Sequence, residues 1–410
     1  MAVGIEEMNA YVGSAFIDVR TLFSARGLDP QRFGNLMMEQ KSVNLPCEDP
    51  VTNGVNAAKP IIDRMRQDEI GRIEALIVGT ESGLDFSKPV STYIHDMLGL
   101  SSRCRTFEVK HACYGGTAAL HAAAGMVLAS PVPGTKALAI ATDAAGVVAG
   151  MEYWEPSHGA GAVAMLVGSE PEVLELDAGA SGCHSFEVMD TCRPRADAAV
   201  GDSDLSLLSY LRCLENSVDA YLDRVTGAVL PGTFDYFAFH TPFAGMVKGA
   251  FRTLLRKKTR LLPDQIEAEF EARVRPSLTY CARVGNTYSA ALYLSLCALI
   301  GHADLSSSRR AGLFSYGSGC TSEFYSGVVS AEGARRLAAF ALDAALDGRH
   351  RLDLADYELL SKLGQDAAFG VRDQRFEPSA YADVYAGAVA GRGLLVLDEI
   401  RDFHRTYRWS

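Results

Sequence analysis

Positive charge is in short supply in this 410-residue chain, which has 39 lysine and arginine residues against 50 aspartate and glutamate residues. A nucleic-acid backbone binds through clustered cations, so the formal net charge of −11 argues against such a partner. Long hydrophobic runs are also missing. The longest weakly polar stretch, residues 289–301, has about a dozen residues, whereas a membrane span needs roughly 20. We therefore expect neither a nucleic-acid partner nor a membrane-spanning segment.

The cysteines do not form a disulfide pattern. There are nine of them, an odd number, at irregular spacing and without a CxxC pair. Reduced thiols in a cytoplasmic protein fit this pattern better than a disulfide framework. The first residues, MAVGIEEMNAYVG, are acidic and lack the basic and apolar segments of an export signal. The sequence therefore predicts a cytoplasmic protein.

Several motifs of common enzyme classes are absent. The sequence has no HExxH, no cysteine or histidine pairs at zinc spacing, no P-loop and no GxGxxG or GxSxG motif. These absences argue against a metal site, a nucleotide cofactor and an α/β-hydrolase. Hydrophobic residues make up 48% of the chain, which is enough for a sizeable buried core.

Short apolar runs alternate with alanine-rich stretches of helical period, which predicts an α/β protein with a mainly parallel sheet. Predicted strands cover residues 72–79, 106–110, 136–142, 161–168, 235–240 and 312–316, and predicted helices cover residues 117–128 and 288–300.

The chain also shows a repeated layout. The strand, turn and helix of residues 106–128 resemble residues 311–330, which predicts two similar halves, 1–170 and 171–410. Residues 177–205, rich in Gly, Ser, Asp and Pro, are predicted to form a loop over the surface.

Cys113 lies at the junction of a predicted strand and a predicted helix. The positive end of a helix dipole lowers the pKa of a thiol, so we expect a reactive thiolate at this position. Gly115 and Gly116 allow a sharp turn that presents backbone amides to an oxyanion. The alternative is a small residue buried in a tight turn.

Glu81 and His240 also follow predicted strands, where α/β sheets gather reactive groups. Alone, the first is equally a solvated turn carboxylate, and the second a structural or helix-capping histidine. Together with Cys113 they supply a nucleophile, a carboxylate base and an imidazole donor.

Six ordered segments carry a family resemblance. They are Val78-Gly-Thr-Glu81, Ala112-Cys-Tyr-Gly-Gly-Thr117, Phe239-His-Thr-Pro-Phe243, Gly285-Asn286, Tyr288-Ser-Ala and Phe314-Ser-Tyr-Gly-Ser-Gly319. In these segments the sequence resembles the 3-hydroxy-3-methylglutaryl (HMG) synthases. The resemblance implies the thiolase fold, a duplicated five-layered αβαβα architecture, and a homodimer. Glu81 and Cys113 would lie in the first half, and His240, Asn286 and Ser318 in the second.

The resemblance implies a thioester condensation. Cys113 would accept an acyl group, and Glu81 would remove a proton from its methyl group to form an enolate. His240 would polarise the β-ketone of the acceptor and protonate the new alkoxide, and hydrolysis would then free Cys113. The substrates are carried on phosphopantetheine, so no separate cofactor is expected.

Three further residues are implied to bind substrate. Backbone amides near Cys113 and Ser318 would hold the thioester oxygen, and Asn286 the acceptor carbonyl, with Tyr288 beside it.

Two branches of the family are open. One branch resembles the chain in residues 10–20 and 41–52 and adds a β-branch to a polyketide on an acyl carrier protein. CoA-dependent members usually carry a phosphate-binding lysine where this chain has Gly245. A tyrosine usual four residues after Asp143 is replaced by Val147, which would enlarge the donor pocket for propionyl as well as acetyl. The alternative is HMG-CoA synthase of the mevalonate pathway, which uses acetyl-CoA and acetoacetyl-CoA.

A basic cluster follows His240 on an otherwise acidic chain: Arg252, Arg256, Lys257, Lys258 and Arg260. It would steer acidic acyl carrier proteins, or is simply a solvated helix face. Lys248 is a candidate for the pantetheine phosphate. His111 and His158 depart from the family pattern and either line the pocket or pack nearby.

Two other functions would suit the same fold, a plain acyltransferase or ketosynthase and a catalytically silent scaffold. A ketosynthase of the same fold would pair its cysteine with two histidines, and a catalytically silent scaffold would have no need for all three reactive groups.

Overall fold

The structure is a computed structural model that describes residues 2–144, 154–195, 198–364 and 369–410, with Arg195 described by its backbone alone. Its strands are, in chain order, β1 (Gly4–Tyr11), β2 (Ala15–Asp18), β3 (Gln40–Val43), β4 (Ile73–Gly79), β5 (Arg105–Val109), β6 (Lys136–Asp143), β7 (Gly161–Gly168), β8 (Leu174–Ser185), β9 (Thr191–Arg195), β10 (Ala198–Gly201), β11 (Tyr236–Phe239), β12 (Arg309–Gly317), β13 (Thr321–Val329), β14 (His350–Arg351), β15 (Gln374–Arg375), β16 (Leu395–Arg401) and β17 (His404–Trp409).

The α-helices are, in chain order, α1 (Val19–Ala25), α2 (Pro30–Leu36), α3 (Pro50–Ile62), α4 (Gln67–Ile70), α5 (Val90–Met97), α6 (Gly115–Ala129), α7 (Ser203–Arg224), α8 (Ala244–Lys258), α9 (Pro263–Arg273), α10 (Thr279–Val284), α11 (Ala291–His302), α12 (Ala331–Ala338), α13 (Leu342–Asp347), α14 (Leu354–Gly364) and α15 (Ala382–Ala388). Short 3₁₀ turns cover Glu155–Ser157, Arg275–Leu278, Tyr288–Ala290 and Pro378–Tyr381.

One sheet dominates the described part of the chain, with nine strands in the order β11-β12-β13-β8-β1-β7-β6-β4-β5. Its two ends repeat one topology. In the first half β4 runs parallel to β6, and β7 pairs antiparallel with both β6 and β1. In the second half β11 runs parallel to β12, and β13 pairs antiparallel with both β12 and β8. The repeated strand topology corresponds to the duplication that the sequence predicts.

The helices complete five layers around the two halves of the sheet. Helix α3 and helix α5 cover the outer face of the first half through an apolar cluster that includes Val55 and Ile94. Helices α6 and α11 lie between the halves, and α7 and α8 cover the outer face of the second half. The predicted αβαβα arrangement is confirmed, whereas the division of the chain at residue 170 stays a prediction.

Two local predictions were wrong. Residues 321–329 form strand β13 and not a helix, because Phe324 and Val329 are buried in a ladder that pairs with strands on both sides. The repeat therefore relates the β12–β13 hairpin to β6–β7. The described residues between 177 and 205 are not a surface loop, since β8 continues in the central sheet to Ser185 and β9 then pairs antiparallel with β10.

Helix α6 is a core element. Among the described residues, one segment, Ala112–Ala129, is long and apolar enough by composition to cross a membrane. Its Ala119, Leu120 and Ala123 pack in the central cluster between the halves of the sheet, as expected for a core helix of a soluble protein. The close approach depends on small residues: a Cβ on Gly116 would lie 2.3 Å from the carbonyl oxygen of Ser289.

Candidate active site

Cys113 lies in a tight turn directly before helix α6. The amide of Tyr114 donates to the carbonyl of His111 at 3.0 Å, and Ala112 takes a positive φ of 40°. The turn is pressed against the end of β4, since a Cβ on Gly79 would lie 2.3 Å from the carbonyl oxygen of Gly115. This contact places Thr80 and Glu81, which follow β4, next to the cysteine.

The reactive groups of Cys113 and Glu81 meet directly. The thiol of Cys113 donates to Oε2 of Glu81 with a distance of 3.4 Å. The other carboxylate oxygen, Oε1, lies 3.7 Å from Nη2 of Arg193 on β9. The nucleophile and base predicted from the sequence are therefore adjacent, and a cation that the sequence did not single out faces the base.

Asp143, the last residue of β6, fixes the segment that carries Glu81. Its Oδ1 accepts the backbone amides of Glu81 at 2.9 Å and Ser82 at 3.0 Å, and the Thr80 hydroxyl at 2.9 Å. Its Oδ2 accepts the backbone amide of Ser289 at 3.0 Å and the hydroxyl of the same residue. One buried carboxylate thus joins the Glu81 turn to the second half of the chain.

The surroundings raise the pKa of Glu81 to about 7. The largest cause is burial, which penalises the charged form, and the next is the neighbouring carboxylate of Asp143. Arg193 and the hydrogen bond from Cys113 act in the opposite direction. A carboxyl group with a pKa near neutrality is suited to accept a proton and release it again.

The predicted lowering of the Cys113 pKa was wrong. Burial raises the pKa of this thiol well above its ordinary value, and the negative charges of Glu81 and Asp143 raise it further. The helix terminus is therefore outweighed by desolvation and two carboxylates. Cys113 is a neutral thiol at rest and needs a base to take its proton as it attacks.

His240 follows β11 and is 2% exposed. Its backbone amide donates to the carbonyl of Phe314 at 2.7 Å, and its own carbonyl accepts the hydroxyl of Tyr210 at 2.8 Å. The ring nitrogen Nδ1 is buried and makes no hydrogen bond within the described part of the chain. Burial lowers the pKa of His240 to about 3, so the imidazole is neutral at physiological pH. It can donate an N–H to a substrate oxygen but is not a standing imidazolium.

Strand β12 links His240 to the cysteine turn. Its Phe314 holds the His240 backbone, and its Ser315 accepts the hydroxyl of Thr117, in the first turn of α6, at 2.7 Å. At its end, a Cβ on Gly317 would lie 2.7 Å from the amide nitrogen of Tyr114. The two halves of the chain therefore meet around Cys113.

The predicted substrate-binding residues of the second half lie in two loops. Ser318 follows Gly317, beside the cysteine turn. Asn286 is buried, and its side-chain oxygen accepts the amide of Tyr288 at 2.9 Å. Tyr288 takes a positive φ of 51°, and burial raises its phenol pKa. Since Ser289 binds Asp143, this second loop is also tied to the Glu81 turn.

A cleft of about 1720 Å³ lies over the start of helix α8. Lys248 lines it together with Arg20, Arg252 and Arg275. Lys248 also forms an ion pair with Glu267, which partly neutralises the positive charge of the lysine. The lining includes none of the three predicted catalytic residues. Ala244, four residues after His240 in the chain, is one of the lining residues.

The packing of helix α8 explains why position 245 is a glycine. A Cβ at this position would lie 1.7 Å from the carbonyl oxygen of Asn35 at the end of α2. A side chain here therefore requires helix α2 or helix α8 to shift.

Two residues of the basic cluster, Lys257 and Lys258, are paired with acidic neighbours. Lys257 pairs with Glu215 on helix α7, and Lys258 pairs with Glu215 and Asp219 of the same helix. Arg252 lies 4.0 Å from Glu267. The lysines of the cluster therefore form a salt-bridged helix face, whereas Arg252 lines the cleft.

The remaining residues singled out in the sequence are Val147, His111 and His158. Val147 lies outside the described residues. The Nε2 atom of His111 is buried without a hydrogen bond in the described part of the chain, and burial lowers the His111 pKa. The ring of His158 lies 5.4 Å from that of Tyr288, and its backbone bridges to Asn286. His158 thus belongs to the same loop contact as the predicted acceptor site.

Sequence reasoning missed two residues of this site. Arg193 lies in a segment interpreted as a surface loop, and nothing in its local sequence points to Glu81. In the sequence, Asp143 serves only to locate Val147. Its place at the end of a predicted strand nevertheless indicates a candidate site residue. No group of three or more His, Cys, Asp or Glu that could hold a metal occurs among the residues that the structure describes.

The chain matches two family models. Residues 1–172 match the model described as hydroxymethylglutaryl-coenzyme A synthase N terminal, and residues 256–405 match hydroxymethylglutaryl-coenzyme A synthase C terminal.

Three similar proteins illustrate the match. The polyketide biosynthesis 3-hydroxy-3-methylglutaryl-ACP synthase PksG of Bacillus subtilis (strain 168) is 49% identical and covers 100% of this chain and 99% of its own length. The crystal structure of the curacin biosynthetic pathway HMG synthase in complex with apo donor-ACP has a TM-score of 0.97 and 50% identity, with 100% of each chain covered. The hydroxymethylglutaryl-CoA synthase of Enterococcus faecalis is 37% identical over 88% of this chain and 91% of its own length.

Proposed function

Since this chain belongs to the hydroxymethylglutaryl-CoA synthase family, we propose that it is the polyketide β-branching type of HMG synthase. It joins an acyl group from a donor acyl carrier protein to the β-ketone of a polyketide held on a second carrier protein. The contact that carries the chemistry is the 3.4 Å hydrogen bond from the Cys113 thiol to the Glu81 carboxylate. It pairs a nucleophile with the base that must activate it.

Acyl transfer is the first step. Because the Cys113 thiol is neutral at rest, Glu81 takes its proton while sulfur attacks the thioester carbonyl of the donor. The bond to the pantetheine sulfur breaks, and that sulfur leaves as a thiol with the proton. Glu81 is then ionised again beside the new acyl-cysteine.

Enolate formation follows at the same carboxylate. Glu81 removes a proton from the carbon next to the thioester carbonyl, and the electron pair moves toward the thioester oxygen. Backbone amides near Cys113 and Ser318 would stabilise this oxygen, as expected for a turn that precedes a helix.

Carbon–carbon bond formation involves the second half of the chain. The enolate carbon attacks the β-ketone of the acceptor, while the neutral His240 imidazole donates its N–H to the ketone oxygen that becomes an alkoxide. Asn286 would hold the acceptor carbonyl. Water then cleaves the cysteine thioester, which leaves a β-hydroxy-β-carboxyalkyl group on the acceptor and frees Cys113.

Carrier proteins are proposed as the donor and acceptor supports for two reasons. PksG is named as an HMG-ACP synthase, and the curacin synthase has been crystallised with a donor-ACP. In addition, position 245 is glycine, and a Cβ there would lie 1.7 Å from the carbonyl oxygen of Asn35, so this chain has no room for the lysine that CoA-dependent members usually carry. In the cleft, Arg252 and Lys248 are suited to an acidic partner and its pantetheine phosphate.

Two finer points are also proposed. Val147 in place of tyrosine would admit a propionyl donor as well as an acetyl donor, which a comparison of acyl-cysteine formation from the two carrier-bound acyl groups would test. The protein would be a homodimer, and β5 offers a contact because among the described strands it pairs only with β4. Light scattering of the purified chain would give its mass in solution.

The decisive experiment is intact-protein mass spectrometry after the enzyme is mixed with acetyl-carrier protein or with acetyl-CoA, with Cys113→Ser as the control. We expect acetylation from the carrier protein, and none in the control. Equally fast acetylation from acetyl-CoA would instead support the mevalonate-type synthase. No acetylation from either donor would contradict both.

A further inference from the structure

We propose that Arg193 is a positioning residue for this reaction, whose guanidinium holds the Glu81 carboxylate ionised and turned toward Cys113. The inference rests on the proposed role of Glu81 as the base. Arg193 lies in a hairpin of the second half of the chain, whereas Glu81 and Cys113 lie in the first half.

The two oxygens of Glu81 have different neighbours. Oε2 accepts the Cys113 thiol at 3.4 Å, and Oε1 faces Nη2 of Arg193 at 3.7 Å. With the cation on one side, the oxygen on the other side stays directed at the sulfur and at any acyl group that the sulfur carries.

Arg193 is placed by a fixed hairpin. Its side chain is 26% exposed, and it extends from β9, which pairs with β10. The hairpin is anchored by the buried Asp190, which accepts the Tyr316 hydroxyl at 2.6 Å and the Gly319 amide at 3.0 Å. These contacts attach the base of the hairpin to the β12–β13 loop, so the guanidinium is held where the two halves meet.

The charges around Glu81 give Arg193 an energetic role. The titratable groups that face this carboxylate are Asp143 at the end of β6, Cys113 before α6, Tyr288 in the 3₁₀ turn before α11, and Arg193. The negative charge of Asp143 disfavours the ionised form of Glu81. Arg193 is the one cation among these four groups, and its positive charge favours the ionised form. Since a base must be ionised before it can take a proton, loss of Arg193 removes active base near neutral pH.

The test separates enolate formation from acylation. The enzyme is acetylated from acetyl-carrier protein in D₂O, quenched in acid and digested. Carbon-bound deuterium in the acetyl group on the Cys113 peptide is then measured by mass spectrometry as a function of pH. In Arg193→Gln we expect normal acetylation at high pH, but an acid limb of deuterium uptake moved upward by about one to two pH units. Uptake near pH 7 should fall roughly five- to fiftyfold, and should recover at higher pH.

Three control variants test whether the effect depends on the charge at position 193 and on Glu81. Arg193→Lys keeps the charge and should restore most of the wild-type profile, and Arg335→Gln removes an exposed arginine on α12 and should change nothing. Glu81→Gln should abolish uptake at every pH.

An unshifted acid limb in Arg193→Gln would overturn the inference, and so would a loss of uptake at all pH values in a folded, acetylated variant. The proposed function fails separately, if the wild-type enzyme is not acetylated on Cys113 or takes up no deuterium.

Discussion

The carboxylate of Asp143 accepts the backbone amide of Ser289 at 3.0 Å, across the boundary between the two halves of the chain. The same carboxylate holds the amide of Glu81 at 2.9 Å. The proposed base Glu81 and the loop that contains Ser289 are therefore set relative to each other by one buried acidic side chain. Burial raises the pKa of Asp143, and the hydrogen bonds it accepts oppose that rise.

Replacement of Asp143 by asparagine should damage both stability and condensation. The new amide group would present hydrogens to N–H donors, so some of the bonds from Glu81, Ser82 and Ser289 would be lost in a buried site. We expect the free energy of unfolding to fall by about 1–3 kcal/mol, measured by urea denaturation. The condensation rate should fall with it. Asp68→Asn, at an exposed position, should match the wild type, and an Asp143→Asn enzyme of unchanged stability would contradict this account.

The pH dependence of condensation should be a single ascending limb. Glu81 is protonated and inactive below its pKa of about 7, and it is ionised above that value. His240 has a pKa of about 3, and the Cys113 pKa is raised well above its ordinary value, so neither group titrates near neutrality. The rate of carrier-protein-dependent condensation, measured between about pH 5 and pH 9, should therefore rise through neutrality and level off. Equal rates at about pH 6 and pH 8 would show that Glu81 is not the titrating base.

His240→Ala should block condensation and spare the earlier steps. In the proposed mechanism His240 acts on the ketone of the acceptor, whereas acylation and enolate formation depend on Cys113 and Glu81. Intact-protein mass spectrometry should show normal acetyl-cysteine, while product on the acceptor carrier protein falls at least about a hundredfold. His240→Asn keeps an N–H donor and should retain more activity than the alanine variant. A His240→Ala enzyme that no longer acetylates Cys113 would place the histidine in the first step instead.

Much of the fold could be predicted because its strands are short, apolar and separated by turns. Strand β7 and the start of β6 were predicted at their observed positions. Strand β13 could not be recognised, since it is buried on both faces and lacks the alternating pattern of a half-exposed strand. A segment of that kind does not reveal its structure by periodicity.

The sequence led to candidate site residues but not to the electrostatics around them. Cys113, Glu81 and His240 could be named from their places after strands and before a helix. The pKa of Cys113 could not, because it depends on Asp143 and on burial, both of which arise from long-range packing. Arg193 could not be named either, because its partner is distant in sequence and its own segment has no motif.

The last prediction concerns the start of helix α8, where the chain leaves no room for a side chain. Gly245→Ala places a Cβ 1.7 Å from the carbonyl oxygen of Asn35, so helix α2 or α8 must shift. We expect a loss of about 1–3 kcal/mol in the free energy of unfolding, measured by urea denaturation, together with slower acylation from the carrier protein because the cleft is deformed.

Gly249→Ala on the same helix is the matched control, since a Cβ there meets no atom within 4 Å. Alanine is the better helix former, so this variant should be more stable than the wild type by roughly 0.5–1 kcal/mol. If both variants were equally stable, the packing of α8 against Asn35 would not be what excludes a lysine at position 245. The preference for a carrier protein over CoA would then need another structural cause.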